Sequence, residues 1–151
     1  MSQSGPLRRD VDAPEEAPAG YIPCPLPVGD FGDSLGTLFM RPDGTGFACR
    51  MRPGHRNPRG AVHGGVLLSL ADQVLGLTVY QATGQTLSAT VNLNCDFVEA
   101  AFPGDLIEGE ARITRITGSI VFVQGSLRRG ERLILTASGI WKRLQHSRQN
   151  D

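Results

Sequence analysis

The feature that most constrains this chain is a long apolar segment, residues 64–83, that contains a single charged side chain, Asp72. The segment has no proline, and its leucine, valine and alanine residues recur three and four positions apart. This spacing predicts one long α-helix that begins at Gly64, with Gly84 following it as a C-cap. A helix this apolar cannot face water, so other elements must cover it.

Strand patterns surround the predicted helix. Two strands are predicted in residues 34–53 and four more in 85–98, 106–116, 119–129 and 132–144, with turns at 42–44, 117–118 and 130–131. We therefore predict an α+β fold in which one curled antiparallel sheet wraps around one long central helix. In residues 85–98, apolar side chains alternate strictly with polar ones, which predicts that Thr90 lies on the face opposite to Leu87 and Phe97.

Length and composition limit the class of protein. A chain of 151 residues, 40% of them hydrophobic, predicts one domain, assigned to residues 21–145. Residues 1–20 are polar and rich in proline and alanine and are expected to be disordered, and residues 146–151 form a polar tail. Fifteen basic residues balance fifteen acidic ones, and no segment has the length or pattern of a membrane span or a secretory signal. Binding to nucleic acid or to a membrane is therefore not indicated.

The cysteine and histidine residues suggest neither disulfides nor a metal site. Cys24, Cys49 and Cys95 are odd in number, far apart and without a CxxC pair, which favours buried free thiols and a reducing cytoplasm. The three histidines have no ligand spacing with acids or cysteines, so we expect no metal and no other cofactor. His55 is assigned to the surface of the loop at residues 54–63.

Asp72 and the start of the helix contain the candidate chemistry. A buried, unpaired carboxylate costs several kcal/mol or more, so Asp72 must lie on an exposed stripe, bond to nearby backbone, sit at an interface or be reactive. Gly64 and Gly65 directly follow His63, and without side chains they leave backbone N–H groups open at the helix N-terminus. Such a terminus stabilises an oxygen that is, or becomes, negative.

The spacing of these groups has a consequence for assembly. Asp72 follows Gly64 by eight residues, which is ~12 Å along a helix axis. One reacting carbon needs both groups within about 3–4 Å, so Gly64 and Asp72 of the same chain cannot share a substrate. If both are catalytic, two helices must run antiparallel across a two-fold axis, so that the chain is at least a dimer with its sites at the interface.

The segment NPRGAVHGGVLLSLADQVLG and the later TVNLNCDF resemble the signature of hotdog-fold acyl-CoA thioesterases of the phenylacetate-pathway (PaaI-like) type, within the 4-hydroxybenzoyl-CoA thioesterase superfamily. The resemblance covers roughly residues 35–143. The positions that match the family pattern are Asn57, Gly60, His63, Gly64, Gly65, Asp72 and Thr90. It implies a hotdog fold and hydrolysis of an acyl-CoA by a homodimer or homotetramer.

The resemblance also implies a role for each matching residue. The Gly64 N–H would polarise the thioester carbonyl, and Asn57 would lie near that carbonyl or position the attacking water. Asp72 of the partner chain would act as general base or as nucleophile, with Thr90 of that same chain holding the water or the carboxylate. His63 would orient Asn57 or lie near the leaving thiol.

The phosphates of a CoA substrate call for basic residues, and arginine suits phosphate recognition. The candidates lie on the late strands and in the loop before the helix: Arg112, Arg115, Arg128, Arg129, Arg56 and Arg59. Of these, Arg128 and Arg129 are assigned to substrate binding, together with Gly65. Two alternatives stay open, namely a hotdog module that binds acyl-CoA without turnover, and an acyl-thioester hydratase or dehydratase.

Overall fold

A computed structural model describes residues 15–144, in which a seven-stranded antiparallel sheet wraps around one long helix. In chain order the elements are β1 (Ile22–Pro23), α1 (Gly29–Ser34), β2 (Leu38–Met40), β3 (Phe47–Arg50), α2 (Gly64–Ala82), β4 (Ser88–Phe97), β5 (Leu106–Ile116), β6 (Ile120–Arg129) and β7 (Arg132–Arg143). The strands lie in the order β1-β2-β3-β5-β6-β7-β4, which leaves β4 at one edge. The α+β hotdog arrangement expected from the sequence is confirmed.

Helix α2 forms where its apolar pattern predicts. It starts at Gly64 and ends at Ala82, and Thr83 and then Gly84, at a φ of +69°, turn the chain out of the helix. Its buried face packs on the inner face of the sheet, which removes apolar surface from water at roughly 25 cal/mol per Å². The centre of this core contains Leu70, Val74, Leu75, Ile107, Val121, Leu127 and Leu135.

The segment before β2 contains two short elements that pack on the domain. Its two-residue strand β1 pairs with β2, and the short helix α1 follows. The Tyr21 hydroxyl donates to Glu108 at 3.1 Å, and the Gln73 side chain on α2 donates to the Val28 carbonyl at 3.2 Å. Hydrogen bonds to the sheet and to α2 therefore hold this segment beside the central helix.

The tails predicted at the two ends fall largely outside the described residues, which exclude 1–14 and 145–151. Residues 15–20 are described, and Glu15 forms an ion pair with Arg52 at 3.5 Å. Within residues 15–144, no helix is both long enough and apolar enough to cross a membrane.

The strict alternation predicted for residues 85–98 is wrong because β4 contains a β-bulge. The register with β7 shifts between Thr90 and Asn92, so that Val91 is an extra residue on the bulged strand. Thr90 pairs with the buried Trp141, and Leu93 pairs with the buried Gly139. Since paired residues lie on the same face of a sheet, Thr90 points inward towards α2, and Val91 is left 59% exposed.

Candidate active site

His63 closes the N-terminus of α2 with its own ring. Its backbone is extended (φ −60°, ψ 135°), and its Nδ1 accepts a hydrogen bond from the Gly65 N–H at 2.8 Å. A Cβ on residue 65 would lie 2.9 Å from that Nδ1, so glycine is needed for the ring to stay in place. The expectation that the Gly65 N–H is bare is therefore wrong, because His63 already binds it.

The N–H of Gly64 remains available. No acceptor within residues 15–144 binds it, since His63 caps the following residue. The Phe97 ring packs beside Gly64, 3.4 Å from where a Cβ would stand. The first helical N–H, at the positive end of the helix dipole, is thus an unpaired donor beside an aromatic side chain.

Asp72 lies on α2, half-buried, and its carboxylate is held from β4. The Thr90 hydroxyl donates to Asp72 Oδ1 at 2.8 Å. The bulge at Val91 makes this contact possible, because it turns Thr90 towards the helix. Asp72 Oδ2 has no hydrogen-bond donor among the described residues, so one oxygen of a positioned carboxylate is free to act on a neighbouring group.

Asn57 shapes the loop before α2. Its Oδ1 accepts from the N–H groups of Arg59 at 2.9 Å and Ala61 at 3.2 Å, and its own N–H donates to the Ala61 carbonyl at 2.7 Å. Gly60 closes this turn at a φ of +86°, which favours glycine. Asn57 and His63 share no hydrogen bond, so the expectation that His63 orients Asn57 finds no such contact. The Asn57 Nδ2 group has no acceptor among the described residues.

His55 is buried, which corrects its assignment to the surface. It is 8% exposed, and its Nδ1 accepts from the Arg52 N–H at 2.9 Å. Its carbonyl accepts from the His63 N–H at 2.8 Å, which connects the loop to the start of α2. Burial, followed by the nearby Arg52 charge, lowers the pKa of this imidazole. The sequence contains no periodic signal here, because the residue lies in a short 3₁₀ turn, Pro53–His55.

The three cysteines are free thiols with packing roles. Cys49 is buried, which raises its pKa to about 11, and burial also raises the pKa of the half-buried Cys24 and Cys95. Thiols of this kind are protonated at neutral pH and are poor nucleophiles. Within residues 15–144, no three histidine, cysteine or acidic side chains cluster in a way that could hold a metal ion.

The arginines predicted to meet phosphate lie in different environments. Arg129 forms an ion pair with Asp105 at 3.0 Å, and the Arg128 guanidinium donates weakly to the Glu131 carbonyl at 3.4 Å. Arg112 bonds Gln124 on the outer face of the sheet. Arg128 is therefore the more available of the two residues assigned to substrate binding.

One chain does not bring Gly64 and Asp72 together. They lie on the same face of α2, two helical turns apart, and Leu68 stands midway between them on that face. Leu68 is 39% exposed and is the only large apolar side chain of α2 that is exposed in this way. The adjacent strand β4 pairs with β7 on one side only.

Comparison with known proteins gives a consistent family. A sequence model of the thioesterase superfamily matches residues 59–136. A protein of Pseudomonas aeruginosa to which esterase activity is attributed is 34% identical over 113 residues, which cover 72% of this chain and 84% of that protein.

Solved structures are similar in fold. A phenylacetic acid degradation-related protein of Ralstonia eutropha, to which thioesterase activity is attributed, has a TM-score of 0.66 at 26% identity, over 79% of this chain and 92% of that one. A thioesterase-like protein of Streptococcus pneumoniae, solved with coenzyme A, has a TM-score of 0.61 at 18% identity, over 66% and 77% of the two chains.

Proposed function

Because the chain belongs to the thioesterase superfamily, we propose that it hydrolyses an acyl-CoA thioester to a free acid and coenzyme A, in sites that two chains form together. The observation that carries this proposal is the pair of groups on one face of α2. One is the unpaired N–H of Gly64, and the other is the carboxylate of Asp72, held by Thr90. The presence of coenzyme A in the Streptococcus pneumoniae structure supports CoA as the leaving group.

These two groups supply what thioester hydrolysis requires. As a nucleophile attacks the carbonyl carbon, the carbonyl oxygen becomes negative, and the Gly64 N–H donates to it at the positive end of a helix. Asp72 either takes a proton from the attacking water or attacks the carbon itself, forming an anhydride that water then opens. In both routes the carbon–sulfur bond breaks, the sulfur takes up a proton, and the acid and the thiol leave.

The reaction needs both groups at one carbon, and a two-fold axis at Leu68 would supply this. If two α2 helices pack antiparallel there, residue 64 of each meets residue 72 of the other, because 68 is the midpoint of 64 and 72. The exposed Leu68 side chain would then be buried at the axis. The edge of β4 supports the same pairing, since its sequence, SATVNLNCDF, lacks the lysine or proline that commonly protects an open strand edge.

The remaining residues have supporting roles in the proposed site. His63 stabilises the turn into α2 and accepts the hydrogen bond of the Gly65 N–H, so the Gly64 N–H is the donor that remains for a substrate. Asn57 lies in the loop just before α2 and offers an unpaired amide to the carbonyl or to the water. Arg128 is the candidate for binding the CoA phosphates. Arg129 is less available for this role because it already forms an ion pair with Asp105.

The decisive experiment measures thiol release from a panel of acyl-CoAs by the wild type and by Asp72→Asn. The substitution removes the base or nucleophile without changing side-chain size, so kcat should fall by about 10²–10⁴-fold. Thr90→Val, which removes only the hydrogen bond to Asp72, should lower kcat about tenfold. Thermal unfolding and the oligomeric state should change little in both. Full activity of Asp72→Asn would contradict the proposal.

A further inference from the structure

A cavity runs from the carboxylate of Asp72 along α2, and the proposed chemistry does not use its far end. It has a volume of about 210 Å³, and it passes Gly76 and reaches Tyr80. These helix positions lie one and two turns beyond Asp72, or ~6 and ~12 Å along the axis. The opposite wall contains Ser88, Thr90 and Trp141. Since the cavity begins at the proposed reacting carbon, it is placed to receive the acyl group.

The indole of Trp141 lies directly against the helix at Gly76. A Cβ on residue 76 would stand 3.4 Å from Trp141 Nε1. A glycine inside a helix destabilises it by up to ~1 kcal/mol relative to alanine. A Cβ at 3.4 Å is an ordinary contact, so packing does not require glycine at residue 76, but a side chain there would cover the indole N–H.

The Trp141 N–H is a donor that lacks an acceptor, although most of the ring is buried. Trp141 is only 2% exposed, yet no carbonyl or side chain within residues 15–144 accepts from its Nε1. In the same residues, no side-chain nitrogen or oxygen is both fully enclosed and unpaired, so this N–H must open into the cavity. An indole N–H can only donate, so in the free protein it can donate only to water. A ligand that displaces this water without offering an acceptor would leave the donor unpaired, which is unfavourable by roughly 1–3 kcal/mol, whereas an acceptor atom on the ligand would avoid that penalty.

The charge and size of the cavity limit what that acceptor can belong to. Asp72 is the only charged residue in its lining, and no cation is present to pair with an acidic group. An acyl group with a second carboxylate would find no cation of this chain to pair with and would be repelled by Asp72. The part of the cavity that one chain lines is smaller than the roughly 300–1,000 Å³ of typical ligand pockets and suits a short acyl group.

Resting on the function proposed above, we propose that the enzyme selects short acyl groups that carry an uncharged oxygen about 6 Å beyond the thioester carbon. The Trp141 Nε1–H donates a hydrogen bond to this oxygen. The hydroxyls of Tyr80 and Ser88, which have no hydrogen-bond partner within residues 15–144, extend the polar wall. A saturated acyl group of the same shape leaves the Trp141 N–H unpaired and is the poorer substrate.

The test uses three CoA thioesters whose acyl tails have the same shape. In 5-oxohexanoyl-CoA a ketone oxygen stands at the required distance, in 5-methylhexanoyl-CoA a methyl group replaces it, and in glutaryl-CoA a carboxylate does. The wild type should prefer the oxo to the methyl substrate about tenfold in kcat/KM, with glutaryl-CoA the poorest.

Two variants separate recognition from structure. Trp141→Phe removes the N–H and keeps an aromatic ring, and Gly76→Ala places a methyl group over the N–H while favouring the helix. In both, the preference for the oxo over the methyl substrate should fall to about twofold or less, because the loss in kcat/KM should be larger for the oxo substrate. Their thermal unfolding checks that each variant is folded.

The outcomes distinguish this inference from the proposed function. Hydrolysis of oxo and methyl substrates at equal rates by the wild type, or an equal loss on both in Trp141→Phe, overturns the inference and leaves thioester hydrolysis standing. Release from other acyl-CoAs but from none of these three also overturns the inference alone. No release from any acyl-CoA overturns both.

Discussion

At the scale of single residues, the backbone N–H of Gly64 can be removed without disturbing the helix. Proline is well tolerated at the first position of a helix, and the extended backbone of His63 suits the residue before a proline. Gly64→Pro should therefore lower kcat by about 10²–10³-fold, as expected for the loss of one oxyanion donor, with thermal unfolding close to wild type. Thiol-release kinetics with saturating acyl-CoA measure this.

Gly64→Ala is the matched control, because it adds a Cβ and keeps the N–H. That Cβ would meet the Phe97 ring at 3.4 Å, an ordinary contact. Alanine should retain most of the activity that proline removes. Equal losses in the two variants would show that steric space at residue 64, rather than its N–H, is what the site needs.

The sequence predicted the start of α2 at Gly64 but not the hydrogen bond that the His63 ring accepts there. Two glycines after a histidine indicate open backbone donors, and only one of them is open in the structure. The other is bound by the His63 ring, and histidine is not among the residues that most often cap helices through their side chains. Which of the two N–H groups is open depends on the rotamer of the His63 ring, and the spacing of residues in a sequence does not predict a rotamer.

At the scale of elements, β4 shows where sequence periodicity fails. Its alternation places Thr90 outside, whereas the family resemblance places it in the site. The bulge reconciles the two by inserting Val91 and turning Thr90 inward. The exposure of Val91 is locally unfavourable, and such breaks of a local rule are expected at functional sites. Helix α2 and strands β2, β3, β5, β6 and β7 form where their patterns predict, although the β5–β6 and β6–β7 pairings also shift register, at Ile113/Arg115 and at Leu127/Arg128.

The loop that connects β3 to α2 should make stability depend on pH through His55. Burial and Arg52 lower the pKa of this imidazole below its unfolded value of 6.5, so the folded state favours the neutral ring. The stabilisation is complete above pH 6.5 and is lost as the pH falls from there through the lowered folded pKa. The thermal unfolding temperature should accordingly drop between pH 7.5 and 5.

His55→Asn tests this assignment, since the asparagine Oδ1 can still accept from the Arg52 N–H but does not titrate. The variant should be less stable at pH 7.5, because packing is lost, and its unfolding temperature should change less with pH. An unchanged pH profile would assign the effect to other groups.

At the scale of the whole molecule, the residues that stabilise the fold differ from those of the proposed active site. The core between α2 and the sheet belongs to one chain, whereas the face with Gly64, Leu68 and Asp72 stays open. If Gly64 and Asp72 are both catalytic, their spacing alone predicts a two-chain site, since that prediction depends only on the rise of a helix. In the proposed dimer, the register of the two chains would depend on packing at Leu68 and along β4, which sequence patterns do not predict.

Mixed dimers test the shared site directly. Asp72→Asn and Gly64→Pro homodimers should each be nearly inactive. In a mixed dimer, Asp72 of the Gly64→Pro chain meets Gly64 of the Asp72→Asn chain, so one of two sites is intact. Co-expression in equal amounts makes about half of the dimers mixed, and thiol release should recover to about a quarter of the wild-type rate.

Two affinity tags would verify mixing, and purified mixed dimers should reach about half of the wild-type rate. If verified mixed dimers remain as inactive as the parent homodimers, Gly64 of one chain and Asp72 of the other do not form one shared site.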